Sequence, residues 1–185
     1  NEKFSDLQQL FLDQYIKNND DKLLVLGEQV DTNYATTEIL GSPPTVAINA
    51  AKQVFTYAST VMIIPYDTED AYQLSLIASP LASYLNIPIL IYDDNQEDII
   101  NICKILNVSN AFVIGDIQLS LPNIFITQLE TEEEIQNIVT LTIKDKFNDI
   151  NYITITNPED TIPPYIIYSN ESSFIDNIKN IRLTI

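Results

Sequence analysis

The chain has 185 residues, 45% hydrophobic and 19% charged, and 9 basic residues stand against 26 acidic ones for a net charge of −17. That composition is globular, and the charge argues against a nucleic-acid partner, because phosphate contacts need Lys and Arg; anionic membrane surfaces are disfavoured for the same reason. Histidine is absent and Cys103 is the one cysteine, which removes Ser-His and Cys-His nucleophile pairs, the usual zinc sites and any internal disulfide.

Gly27, Gly41 and Gly115 are the only glycines and do not cluster, so no phosphate-cradling loop is expected. No run approaches the ~20 apolar residues that a transmembrane segment needs. No cofactor and no bound metal are expected. A carboxylate enzyme, a binding module or a structural piece remains. The chain opens on Asn1 without a signal-peptide pattern, as expected of a processed form or an excised piece.

Phe4, Leu7, Leu10, Phe11, Tyr15 and Ile16 have helical spacing and predict a helix over residues 4–16, with Ser5 and Asp6 as N-cap candidates. After a polar break at 18–21, Leu23-Leu24-Val25-Leu26 predicts a short strand ended by Gly27. Residues 28–44 carry Gly41 and Pro43-Pro44, show no period and are expected to form a long loop. Val46, Ala50, Val54 and Phe55 predict a helix over 45–57. Residues 60–64 form a continuous apolar run, the pattern of a buried parallel strand.

Leu74, Ile77, Ala78, Leu81, Ala82 and Leu85 then give the apolar stripe of a helix over 71–85. Ile89-Leu90-Ile91-Tyr92 is a predicted strand, and residues 93–95 are placed to cap a helix over 97–106. Strands are expected at 111–114, stopped by Gly115, and at 124–127. Thr131 and Glu134 have capping-box spacing at the start of a helix over 131–147. A strand at 152–155, further strands at 165–168 and 181–185, and a weak helix at 173–179 complete the pattern. Strands alternating with helices predict an α/β three-layer sandwich with a mostly parallel sheet.

Two places echo each other. Val61-Met62-Ile63-Ile64 runs into Pro65 and then Thr68-Glu69-Asp70; Tyr152-Ile153-Thr154-Ile155 runs into Thr156-Asn157 and then Pro158-Glu159-Asp160. Such a period would be one small α/β unit per repeat. Residues 1–148 are then an α/β domain, and 149–185 hold final strands that begin a second, truncated repeat.

Candidate ligand-binding residues follow from the strand ends. Asp67, Glu69 and Asp70 stand where a strand gives way to a helix, and ligands of open α/β sheets bind outside the carboxyl ends of strands. Carboxylates there could hold a divalent cation; helix capping is the structural alternative. Asp116, after Gly115, is either a site carboxylate or part of a tight turn. Asp160 occupies the echoed position. Residues 93–104 begin like a calcium loop but have Asp98 at the sixth place and Lys104 at the twelfth, where Gly and Glu are needed. Glu130, Glu132, Glu133 and Glu134 suit a helix dipole. Cys103 lies on an apolar helix face with no histidine to activate it. Tyr66, Tyr72, Tyr92, Tyr165 and Tyr168 fall near strand ends and could line a carbohydrate or peptide surface, or pack as half-buried edge residues.

Thr68-Glu69-Asp70-Ala71, Ser79-Pro80-Leu81-Ala82 and Pro88-Ile89-Leu90-Ile91, followed by Ala111-Phe112-Val113-Ile114-Gly115-Asp116, resemble units of the cell-wall-binding repeat family, type 2. The resemblance runs over residues 61–139. It implies a Rossmann-like fold, tandem packing of units, and an extracellular or cell-surface prokaryotic protein. The implied task is non-catalytic attachment to a cell-envelope polymer or a surface protein. Gly115-Asp116 stands where that family has two glycines, and its later Arg-containing segment is not evident near 129–134. A charge of −17 would repel an anionic wall polymer.

The sequence therefore predicts a non-catalytic surface module for envelope association or surface assembly, with no assigned catalytic residue. A carboxylate-based hydrolase of glycans or phosphoesters is the rival. It requires two carboxyl groups from Asp67, Asp70, Asp116 or Asp160 facing one cleft. A receiver-like domain would need a Lys at a later strand end, and none stands there.

Overall fold

The structure, a computed structural model, describes residues 2–16, 22–66 and 71–148. All of them belong to one unit, Asn1–Ile150. The strands expected at 152–155, 165–168 and 181–185 and the helix at 173–179 lie outside the described residues.

The centre is β5 (Thr60–Pro65), in which Val61, Met62 and Ile63 have no exposed surface. Three consecutive buried side chains must point alternately to two faces, so the strand needs cover on both sides. It pairs in parallel with β6 (Ile89–Tyr92) on one side and β7 (Asn110–Ile114) on the other. β8 (Phe125–Leu129) pairs in parallel with β7 and completes a sheet of order β6-β5-β7-β8.

The connections follow from that order. From β5 the chain steps one way to β6 and then crosses back past β5 to β7. Right-handed crossovers place the two connecting helices on opposite faces after such a reversal. α3 (Ala71–Leu85) accordingly packs with Met62, Ile114 and Leu129 through Leu74, Ala78, Leu81 and Ala82. α4 (Gln96–Leu106) packs with Val61, Ile63, Leu90 and Val113 through Ile99, Ile102, Cys103 and Leu106. α2 (Pro43–Val54) lies on the α4 side and contributes Ile48 and Ala51. α5 (Glu132–Phe147) covers the α3 side through Ile135. This is a three-layer α/β arrangement with a parallel, Rossmann-like sheet.

The helix ends are read from single residues. Thr131 accepts the Glu134 backbone N–H at 3.3 Å while the Glu134 carboxylate accepts the Thr131 N–H at 3.1 Å, the reciprocal pair that the spacing predicts. α3 closes with Ile87 N–H donating to Ala82 and Asn86 N–H to Ser83, and Asn86 takes the left-handed conformation. α4 ends the same way on Asn107. Pro80, inside α3, cannot donate to the carbonyl of Leu76. The Ser79 hydroxyl donates to that carbonyl instead, at 3.0 Å. The Ser79-Pro80 pair thus supplies its own repair.

Residues 28–44 differ from the long loop expected. They contain β3 (Val30–Asp31), β4 (Thr36–Leu40) and the start of α2. β4 pairs in parallel with β2 (Leu23–Gly27), and β3 with β1 (Glu2–Lys3). Pro43 and Pro44 open α2 rather than block it, since the first helical positions need no N–H donor. α1 (Asp6–Tyr15) is capped by a Ser5–Gln8 box. No helix among the described residues is long and apolar enough to cross a membrane.

Leu81 is fully buried between the sheet and α5. Leu81→Ala is expected to lower the unfolding free energy by ~2–5 kcal/mol, measured by denaturant titration followed by circular dichroism.

Candidate functional site

The strand order reverses between β5 and β7, so their carboxyl ends form the place where an open α/β sheet binds ligands. β5 ends at Pro65-Tyr66 and β7 at Ile114-Gly115-Asp116. The two ends are close: a Cβ at Gly115 would sit 3.5 Å from Pro65 Cγ and 3.8 Å from Leu74 Cδ1, and Gly115 holds φ +78°. A side chain there would touch Pro65 and Leu74 at ordinary packing distance, and the strain would come from the backbone conformation alone.

Beyond Gly115 the backbone turns sharply, with Ile117 N–H donating to the Gly115 carbonyl at 3.1 Å. Ile117 and Leu121 drop into the α4-side core. Asp116, between two buried neighbours, is thereby turned out to solvent, where its carboxylate accepts from Gln118 Nε2 at 3.1 Å. Gln128, on β8, donates to the carbonyls of Gly115 and Ile117. Gln96, at the start of α4, accepts the Ser120 N–H at 3.1 Å. Residues 115–124 therefore cover the sheet in place of a helix, fastened at Gly115, Ile117 and Ser120.

The edge of this region is formed at β6. Tyr66 N–H donates to the Tyr92 carbonyl at 3.0 Å, which sets the two tyrosines on neighbouring strand ends. Asp93 and Asp94 follow, both exposed, with Asp94 at φ +51°. Asn95 does not cap α4 with its side chain. It folds back, accepting the Asp93 N–H at 2.9 Å and donating to Ile91 at 3.2 Å, and so fixes the turn that presents the two aspartates. The carboxyl end of the sheet thus presents Tyr66, Tyr92, Asp93, Asp94 and Asp116.

Of the candidates read from the sequence, Asp116 is placed at this end. Asp67, Glu69, Asp70 and Asp160 lie outside the described residues, as do Tyr165 and Tyr168, so no pair of the named carboxylates is placed together. Among the described residues no group of three His, Cys, Asp or Glu side chains is arranged to hold a metal ion. Sequence reasoning missed Gln96 and Gln128 as the fasteners of residues 115–124. Their partners stand 11–24 residues away and leave no local signal.

Three groups with shifted protonation have structural causes. Burial pushes the Cys103 thiol up to about 11. The backbone N–H groups of Glu130 and Thr131 hold the Glu134 carboxyl below its ordinary value. The hydrogen bond to Asp13 raises Tyr34. Comparisons with family models, curated proteins and solved structures found no match to this chain.

Two predictions follow from these groups. At pH 8 the Cys103 thiol of the native chain stays protonated and enclosed, so it should resist a thiol-labelling disulfide reagent and react once denaturant is added. For Glu134 the folded value is depressed, so its contribution to stability is present above the unfolded carboxylate value and is lost as pH falls through the folded one. Glu134→Gln should therefore lower α5 amide protection at pH 7 and matter progressively less as pH falls below the ordinary carboxylate range, read by hydrogen exchange.

Proposed function

We propose that this chain is a non-catalytic extracellular module of a prokaryotic surface protein, acting in envelope association or surface assembly. The carboxyl end of its sheet is the polymer-facing edge. One observation carries the reading: the exposed Tyr66 and the half-buried Tyr92 end neighbouring strands there, with Asp93, Asp94 and Asp116 exposed at the same end. Aromatic rings offer flat apolar faces to sugar rings, with a hydroxyl that can stay wet. Carboxylates accept hydrogen bonds from sugar hydroxyls. The resemblance over residues 61–139 supports the same class of role. Within its Ser79–Ala82 segment, Leu81 and Ala82 lie in the core beneath α3 and Pro80 faces solvent.

The charge selects the ligand within that class. At −17 the chain repels an anionic polymer, whereas a neutral glycan pays no such penalty. The purified chain should co-sediment with isolated prokaryotic envelopes and with a neutral wall glycan, with little dependence on salt. Tyr66→Ala and Tyr92→Ala should each weaken binding several-fold, as expected for loss of a contact worth about 0.5–1.5 kcal/mol. Absence of binding to envelopes and to every purified polymer would reject the role.

A further inference from the structure

Helix α1 is mounted with its apolar stripe outward. Its inner side is formed by Gln9, Leu12 and Ile16, at i, i+3 and i+7, all half-buried. Tyr34 holds that side from the body: Gln9 Nε2 donates to the Tyr34 hydroxyl at 2.6 Å, and the hydroxyl donates to Asp13. The opposite side carries Leu7, Leu10, Phe11 and Tyr15 at i, i+3, i+4 and i+8, and these residues are 59–75% exposed. The rings of Phe11 and Tyr15 are in contact, with centroids 4.7 Å apart. Beside them Phe4, Leu7, Gln8, Phe11 and Leu12 line an open hollow of about 350 Å³.

This side of the helix has no charge. Residues 7, 8, 10, 11, 14 and 15 are Leu, Gln, Leu, Phe, Gln and Tyr, in a chain with 26 acidic residues. Depletion of charge with enrichment of aromatic rings is what distinguishes the centre of a protein interface from ordinary surface. Exposed apolar residues scattered singly are common, but four on one short helix form a patch. Taking roughly 200 Å² for a large side chain, their exposed fractions amount to about 530 Å².

We propose that the α1 stripes of two copies pack antiparallel on one another, across a two-fold axis at Phe11, to form a weak dimer. The spacing is self-complementary. With Phe11 against Phe11 on the axis, Leu7 of each copy lies opposite Tyr15 of the other, four residues out on either side. That reciprocity is what an isologous interface requires. It brings each Tyr15 ring to the hollow that Phe4, Leu7 and Phe11 line on the facing copy. The i, i+4, i+8 row is also the ridge that interdigitates in the commonest helix packing. The two stripes together bury about 1,050 Å², just past the ~1,000 Å² a specific contact needs and short of the ~1,200–2,000 Å² of a standard one. A membrane surface is a poorer occupant: the helix has ten residues, no basic residue in its last turn, and glutamines where an interfacial helix carries Lys and Arg. The pairing does not use the carboxyl end of the sheet, so its failure would leave the envelope reading standing.

The charge gives the dimer a signature. Two chains of −17 repel each other at long range, so salt should strengthen the association by screening. Sedimentation equilibrium of the full chain in about 0.5 M NaCl should give a dissociation constant of roughly 10–100 μM, several-fold weaker in about 0.05 M. Phe11→Asp alters an exposed position and should keep the far-ultraviolet dichroism of the parent. It should weaken association at least roughly tenfold, because the axis brings two like charges together in an apolar seam. Leu141→Asp, at an equally exposed apolar position on α5, should leave the dimer unchanged. Leu7→Lys and Tyr15→Glu should each pair poorly alone and recover when mixed in equal amounts, because position 7 of one copy then meets position 15 of the other. A parent chain that stays monomeric at about 300 μM in high salt, a Phe11→Asp chain that still dimerises, a Leu141→Asp chain that does not, or a mixture that recovers nothing, as parallel pairing would give, each overturns the proposal.

Discussion

The structure depends on one constraint: β5 is buried on both faces. Val61 and Ile63 point into the α2–α4 layer and Met62 into the α3–α5 layer, and none of the three has exposed surface. A strand with two apolar faces cannot sit at a sheet edge or against water. It takes a neighbour on each side and a helical layer above and below. Placing β6 on one side and β7 on the other reverses the direction of winding, and the reversal opens the crevice between their carboxyl ends. The position of the candidate site is thus a consequence of three buried side chains, not of the carboxylates that decorate it.

The chain builds this fold with almost no glycine, and the backbone shows how. Five non-glycine residues hold positive φ: Asn86, Asp94, Asn107, Asn123 and Asn148. Asn and Asp tolerate the left-handed region because their short polar side chains can hydrogen-bond locally. Asn therefore closes α3, α4 and α5, where glycine commonly stands. The three glycines also take positive φ. The asparagine richness of the sequence is structural in four of these places, Asn86, Asn107, Asn123 and Asn148.

What the sequence made legible was whatever depends on near neighbours. α3 and β6 have the predicted bounds, Thr131 and Glu134 form their box, and the alternation of strands and helices gives the layers. The β2–β4 pair was hidden because Thr36-Thr37-Glu38-Ile39-Leu40 lacks the continuous apolar run of a central strand. It has one buried residue and one covered face, so its pattern is weak. Its pairing depends on a partner that no window reveals. At the site, Asp116 was legible as a strand-end carboxylate, but the turn that exposes it is set by Ile117 and by Gln128, residues distant in kind or in sequence. The orientation of α1 was illegible for a sharper reason. An apolar stripe is normally assumed to face inward, and here Tyr34 draws the polar face toward the body.

Charge and apolar exposure then act at different ranges. Among the described residues no charged side chain is buried, so the described charge lies at the surface. A field of that sign deters anionic partners and like chains beyond about one Debye length, ~8 Å at physiological salt. Inside that distance the exposed leucines and aromatic rings contribute roughly 25 cal/mol for each Å² they remove from water. A partner must therefore be neutral or oppositely charged to approach freely, or must offer enough apolar surface to outweigh repulsion once in contact. The carboxyl end of the four-stranded sheet, ringed by tyrosines and aspartates over a fully packed core, favours the first.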